Sequence, residues 1–320
     1  MNIASRSFGT AFAVALSVAS VAPAMAADLV IAMPNWPSGQ ATANILKLAI
    51  ENEFGLSAEV RELGALNAFN KLESGEVAIH PEAWRPNFDT IIDKFVTKNK
   101  TVVLTKHSVA AWQGFCATPA AANADGIKAI EDLNDPAKTK ALDTDGDGRG
   151  EIWIGSPTWL STGIEKVRAN SYGYAKSIAL IETEEEVAMA AVDAAIATDR
   201  PMVFWCYAPH HVFKLHDVVR LTEPPHDGSK WKIVAPSDPM WISKSTALGA
   251  WDAARFHIAY GAAFAKDHPD IARFLEKVDL STDEVANMSY ALEVERQSPA
   301  DYAKKWVEAE KARIDGWAKP

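Results

Sequence analysis

Leu29-Val30-Ile31-Ala32-Met33-Pro34-Asn35-Trp36-Pro37-Ser38-Gly39 carries an apolar run followed at once by a turn. Five apolar residues read as a buried strand, and the Pro- and Asn-rich run after them as a turn. The next stretch places Ile45, Leu48 and Ala49 on one helical face and stops at Gly55. Ala58 to Leu63 then reads as a second strand. Ala65 to Glu73 reads as a short helix ended by Ser74-Gly75, and Val77 to His80 as a third strand. Strands alternating with helices predict a parallel sheet with helices on its faces, an α/β fold.

Working outward, the pattern changes near Trp112. Gly114-Phe115-Cys116 predicts a strand, broken by Pro119 to Asn123. A short helix over Ile127 to Leu133, a polar Gly-rich loop from Asp143 to Glu151 and a strand from Ile152 to Gly155 follow. Helices over Thr158 to Ala169 and Val187 to Ala197 and an apolar strand from Pro201 to Tyr207 complete a second α/β unit. We read 114–208 as a lobe inserted into a discontinuous first lobe made of 27–113 and 209–320. The chain closes on helix: Ser298 caps it, Pro299 takes the first position, and Trp306, Val307 and Ile314 supply the buried face.

The segment 1–26 stands apart. Arg6 is its only charged residue, an apolar run extends from Phe8 to Val21, and Ala24-Met25-Ala26 fits the A-x-A cleavage rule. This is the grammar of a cleaved secretory signal peptide, which places the mature protein outside the cytoplasm, in the periplasm. No apolar run reaches the roughly 18 residues of a membrane span. The 320-residue chain carries 32 Lys and Arg against 42 Asp and Glu, a net charge of −10. That balance argues against a nucleic-acid partner, whose phosphates need a basic footprint. Two cysteines exclude a disulfide-dense scaffold and a four-cysteine zinc site. Eleven tryptophans are the unusual count.

Several of those tryptophans sit in recognisable surroundings. Leu72-Glu73-Ser74-Gly75-Glu76-Val77-Ala78-Ile79-His80-Pro81-Glu82-Ala83-Trp84-Arg85-Pro86 is one such run. Gly155-Ser156-Pro157-Thr158-Trp159, Phe204-Trp205-Cys206-Tyr207-Ala208-Pro209-His210 and Ser298-Pro299-Ala300-Asp301-Tyr302-Ala303 with Trp306 are others. Together they resemble the periplasmic glycine betaine/proline betaine-binding proteins of ABC transporters, over nearly the whole mature chain. The resemblance implies two lobes joined by a hinge, a monomer that delivers its ligand to a permease driven by an ATPase, and an aromatic box around a quaternary ammonium. Carried over position by position, the box residues are Trp84, Trp159 and Trp205. Trp36 is added because it follows the first strand, where open α/β sheets bind ligands. Trp112, close to the domain crossing, is a further candidate. Glu82, two residues before Trp84, is expected to face the site and balance its charge.

Aromatic recognition has independent physical support. A trimethylammonium group has no N–H to donate, so charge and shape must read it, and each Trp face contributes about 0.5–2 kcal/mol when desolvated. The other end of the ligand decides its identity. In the betaine-binding relatives the Trp-x-Pro run is often followed by Thr-His, whose His helps hold a carboxylate. Here the run is Trp84-Arg85-Pro86-Asn87-Phe88, and Phe88 donates nothing. Backbone amides after Trp159, helped by Ser161 and Thr162, suffice for one oxide oxygen more readily than for a carboxylate. The expectation is therefore trimethylamine N-oxide, with glycine betaine or choline as the alternative.

Asp143, Asp145, Asp147, Arg149 and Glu151 follow the first half of a calcium loop, with Gly148 at the sixth position. The twelfth position is Ile154, so the loop is not a complete EF-hand, and a structural Ca2+ is set against a solvated acidic loop. Cys116 and Cys206 are either a disulfide, which the compartment permits, or two buried thiols. His210, His211 and His216 do not suggest zinc, because adjacent histidines on a strand point to opposite faces. No G-x-S-x-G, H-E-x-x-H or phosphate loop supports an enzyme. A secreted enzyme and a receptor presenting ligand to a sensor are the rival classes.

Overall fold

Strand β1 (Leu29–Met33) lies between β2 (Ala58–Glu62) and β3 (Ile79–Arg85), and all three run parallel. The structure is a computed structural model that describes residues 27–236 and 238–320. The signal peptide read over 1–26 lies outside the described residues. Helices Pro37–Phe54 and Ala65–Ser74 make the two crossovers. The first starts on a proline, whose missing N–H costs nothing there, and ends at Gly55 in the left-handed conformation. Its Ile45, Leu46, Ala49 and Ile50 are fully buried.

Among the described residues nine further strands follow: β4 (Val102–Leu104), β5 (Val109–Ala117), β6 (Gly150–Trp153), β7 (Ile178–Ile181), β8 (Val203–Ala208), β9 (Val219–Arg220), β10 (Trp231–Lys232), β11 (Thr246–Ala247) and β12 (Ala254–Gly261). The strand order is β2-β1-β3-β12-β5-β8-β6-β7, with β4 beside β12 and β9 beside β5. β5 belongs to both halves. Its Val109 to Ala111 pair with β12, and its Trp112 to Ala117 pair with β8. In the second half β6 runs parallel to both β7 and β8. Two α/β lobes share strand β5.

The return from the second lobe falls later than residue 209. β9 pairs with β5 at Cys116 and Ala117, and Ala129 bridges Thr222. The cause is a buried charge. Arg168, on helix Leu160–Tyr172, has no exposure, and a guanidinium there must be fully paired. It binds Glu165 on its own helix, the Glu223 carboxylate, and the Gly249 carbonyl at 2.6 Å. These bonds hold 223–249 to the second lobe, and β12 brings the chain back. Helices Pro269–Lys277, Thr282–Glu293, Pro299–Ala309 and Lys311–Ala318 then complete the first lobe. Ser298 does cap the third of them, accepting from the Asp301 N–H. Among the described residues no helix is long and apolar enough to cross a membrane.

Cys116 and Cys206 are disulfide-bonded, with Cα atoms 5.8 Å apart on the paired strands β5 and β8. The bond spans a sequence separation of 90 residues, so the chain-entropy account assigns it a few kcal/mol. The double variant Cys116→Ala/Cys206→Ala is expected to lose about 2–4 kcal/mol of unfolding free energy in urea titration. Non-reducing peptide mapping should show one linked fragment, and two alkylatable thiols in the untreated protein would contradict the pairing.

Candidate functional site

Glu82 is fully buried on β3, and its Oε2 accepts three hydrogen bonds. Trp36 Nε1 donates at 2.6 Å, Trp84 Nε1 at 3.0 Å and Ser38 Oγ at 3.2 Å. Glu82 and Trp84 lie on the same face of β3 because side chains two apart on a strand do. Trp36 comes from the loop after β1, where Gly39 lets it fold back. A Cβ on Gly39 would stand 2.7 Å from the Trp36 indole nitrogen and 2.3 Å from Pro34. One carboxylate oxygen thus sets the rotation of two indoles. Burial pushes the Glu82 carboxyl up to about 7, against the opposing pull of the Trp36, Trp84, Ser38 and Thr42 hydrogen bonds.

The rings so fixed wall a cavity of about 320 Å³ between the lobes. Trp36 and Trp84 contribute from the first lobe, and Trp159, Trp205 and Tyr207 from the second. Trp36 meets Trp159 edge-on, with centroids 6.5 Å apart. Tyr207 meets Trp84 at 5.5 Å and Trp159 at 6.0 Å, both near perpendicular. Ser161 lines the cavity at the start of helix Leu160–Tyr172, whose N-cap residue, Trp159, supplies no side-chain cap. Asn35, Asn87, Gln113 and Thr158 add polar groups, and Asn87 and Gln113 exchange two amide hydrogen bonds of 2.9 and 2.7 Å. Glu62 and Glu184 are the charged lining residues; among the described residues no Lys, Arg or His lines the cavity.

The structure thus gathers Trp36, Trp84, Trp159, Trp205 and Ser161 around one space. Three other candidates stand elsewhere. Glu82 does not line the cavity but holds the indole N–H groups from behind. Thr162 turns its hydroxyl to the Ser156 carbonyl at 2.6 Å. Trp112 packs against Phe213 beneath the Arg220 guanidinium, 4.3 Å from its ring centre. Phe88 is buried against Phe69 and His80, so Asn87 takes the place facing the cleft. Tyr207 was missed, although it lies two residues after Trp205 on one strand and so shares its face. Its hydroxyl donates to Glu185 Oε1 at 2.7 Å, and His210 Nε2 meets the same atom at 3.0 Å. His210 and His211 occupy a turn, not a strand, and their rings lie only 4.1 Å apart. Opposite-facing geometry therefore does not separate them. Instead His210 is committed to Glu185 and His211 to Ser289.

The acidic loop forms a second constellation. One carboxylate oxygen from each of Asp143, Asp145, Asp147 and Glu151 lies within 4.8 Å of the others. Asp143 accepts from the Gly146 and Gly148 N–H groups, and both glycines have positive φ. Glu151 accepts from Thr144 through one oxygen, while the other is buried without a partner. The Arg149 side chain is taken up by the Ile178 carbonyl, leaving its own carbonyl as the group it offers the loop. Ile154 is fully buried in the core. None of these residues lines the aromatic cavity.

The raised Glu82 pKa has a stability consequence. The group titrates near 4.5 when free and near 7 in the fold. Between those values the folded state holds the proton and the unfolded chain releases it, so raising pH through this window lowers stability. Glu293 is also pushed up to about 7 by burial and adds to the same slope. Glu82→Gln should therefore make the fall of Tm between pH 4.5 and 7 shallower, though not flat. An unchanged slope would place the Glu82 proton elsewhere.

A family model described as the substrate-binding domain of an ABC-type glycine betaine transport system matches residues 27–309. The glycine betaine/proline betaine-binding periplasmic protein of Salmonella typhimurium is 22% identical over 261 residues, 78% of this chain and 77% of that protein. Its Escherichia coli counterpart is 22% identical over 258 residues, 78% of this chain and 76% of that one. An ABC-transporter choline-binding protein in complex with choline has a similar fold, with TM-score 0.71, 18% identity and 90% of each chain covered. So does lactococcal OpuAC in its closed-liganded conformation with glycine betaine, at TM-score 0.65 and 21% identity over 91% of this chain and 99% of that one. The chain belongs to this family of ABC-transport substrate-binding domains, which is not an enzyme class.

Proposed function

From that membership we propose that the protein is the periplasmic, monomeric substrate-binding component of an ABC importer. It captures a small trimethylammonium compound in the Trp36–Trp84–Trp159–Trp205–Tyr207 box and presents it to a permease and its ATPase. The observation that carries the reading is a cavity walled by five aromatic rings whose charged lining residues are both carboxylates. Indole faces attract a cation without hydrogen bonds. The buried Glu82 behind two of them adds negative charge when ionised.

The same lining selects among methylated amines. A carboxylate on the ligand would enter a space with Glu62 and Glu184 and no cationic partner. Glu62 and Glu184 are solvent-exposed, so the repulsion is screened, but its sign disfavours a second carboxylate. An N-oxide oxygen needs only neutral donors, and Asn87, Gln113, Thr158, Ser161 and the uncapped helix start after Trp159 supply that kind of group. Trimethylamine N-oxide is therefore preferred to glycine betaine. Choline is the second reading, since its hydroxyl suits a carboxylate acceptor.

Calorimetry with trimethylamine N-oxide, glycine betaine, choline and carnitine tests this order. The oxide is expected to bind most tightly, and glycine betaine binding tenfold more tightly would overturn the preference while leaving the family standing. Trp84→Ala, Trp159→Ala and Trp205→Ala should each weaken binding by at least about 1 kcal/mol. Normal binding in two of the three would remove the box.

We also propose that the Asp143–Glu151 loop holds a structural Ca2+. Converging carboxylates and the buried unpartnered oxygen of Glu151 support it. Binding to the folded state alone raises Tm. Chelation should lower Tm in the wild type but not in Asp145→Ala or Asp147→Ala, with ligand affinity little changed. A wild-type Tm indifferent to chelator, with no metal co-purifying, would leave only a solvated loop.

A further inference from the structure

Asn35 does more than line the cavity. It sits in the loop between β1 and helix Pro37–Phe54 of the first lobe, yet every side-chain hydrogen bond it makes crosses to the second. Its Nδ2 lies 3.1 Å from Thr158 Oγ1, 3.0 Å from Glu184 Oε2 and 3.4 Å from Ser156 Oγ. Its Oδ1 accepts from Trp159 Nε1 at 2.9 Å. An indole nitrogen can only donate, so the carbonyl oxygen must face Trp159 and the amide hydrogens must face the hydroxyls and Glu184. The orientation of the carboxamide is therefore fixed by chemistry. On the far side the acceptors are themselves linked, since Ser156 Oγ donates to Glu184 Oε2 at 3.0 Å and lies 3.1 Å from Thr158 Oγ1.

We propose that Asn35 is a clasp that holds the two lobes closed and, in the same act, positions the Trp159 wall of the box. None of its bonds requires a ligand atom, so the clasp favours closure of the ligand-free protein as well as of the complex. It sets how long a ligand stays more than how fast it enters, because the bonds exist only once the lobes have met. Both polarities of the amide are used. An aspartate of the same shape would keep the acceptor for Trp159 but turn a negative oxygen toward Glu184, and like charges at hydrogen-bond distance repel. Asn35→Asp should therefore open the protein at least as much as Asn35→Ala, a result that loss of packing alone does not give.

The test places one dye on each lobe of the full mature chain and reads the closed-to-open ratio by single-molecule energy transfer, without ligand. Asn35→Ala and Asn35→Asp are expected to lower that ratio about tenfold, equivalent to about 1.4 kcal/mol. A distribution equal to wild type in either variant overturns the clasp. A second measurement rests on the trimethylammonium reading. With labelled trimethylamine N-oxide, Asn35→Ala should raise the dissociation rate about tenfold and change the association rate less than twofold. A reduced association rate with unchanged dissociation overturns the residence-time role. The two arms separate the two claims. If the oxide does not bind while the variants open the protein, the ligand assignment fails and the clasp stands. If the oxide binds and the variants leave the lobes closed, the clasp fails and the ligand assignment stands.

Discussion

One buried carboxylate oxygen organises the ligand side of this molecule. Glu82 Oε2 ties the loop after β1, through Trp36 and Ser38, to the face of β3 that carries Trp84. An indole ring offers only one donor, so a single acceptor defines its rotation. Burying the carboxylate costs free energy, and the cost shows as a carboxyl held up to about 7 by desolvation. Such an acceptor fixes ring orientation where apolar packing alone would tolerate several, which is how the aromatic part of the cavity wall acquires a defined shape. The same economy appears in the second lobe, where Glu185 fixes Tyr207.

A second buried charge shapes the second lobe. Arg168 recruits Glu165, Glu223 and Gly249 and thereby decides where the chain stops belonging to that half. Around it lie the Tyr172, Trp231 and Trp251 rings, within 5.5–5.8 Å of the guanidinium carbon. Several of the eleven tryptophans therefore serve the framework and not the cleft. The two populations are told apart by position. Box rings line the cavity between the lobes, whereas Trp231 and Trp251 flank the buried Arg168.

That distinction explains what could be read from the residues alone. Alternating apolar strands and Gly-stopped helices made the first lobe legible, since each element is written in local signals. Trp84, Trp159 and Trp205 were legible because they sit in short runs shared with a known family. Thr162 and Trp112 were misplaced: Thr162 turns to the Ser156 carbonyl six residues before it, a local loop-to-helix bond, whereas Trp112 stacks under Arg220, a contact distant in sequence. The late return of the chain at β12 was hidden because it too rests on a distant contact. Nothing near residue 209 announces that Glu223 will answer an arginine 55 residues earlier. Tyr207 was within reach of a simple strand-parity argument, whereas the role of Asn35 depends on acceptors 121 to 149 residues away.

The disulfide lies in the shared strand, and this bears on mechanics. β5 is bonded to β12 over Val109 to Ala111 and to β8 from Trp112 onward, with Cys116 covalently joined to Cys206 inside the second stretch. The portion from Trp112 to Ala117 is thus joined to its neighbour by hydrogen bonds and by one covalent bond, which resists shear between the two strands. Ala111 and Trp112 mark the place where the strand changes partner, outside the cross-linked stretch. Trp205 and Tyr207 lie on the cross-linked strand, so the second lobe's share of the box is carried on its braced part.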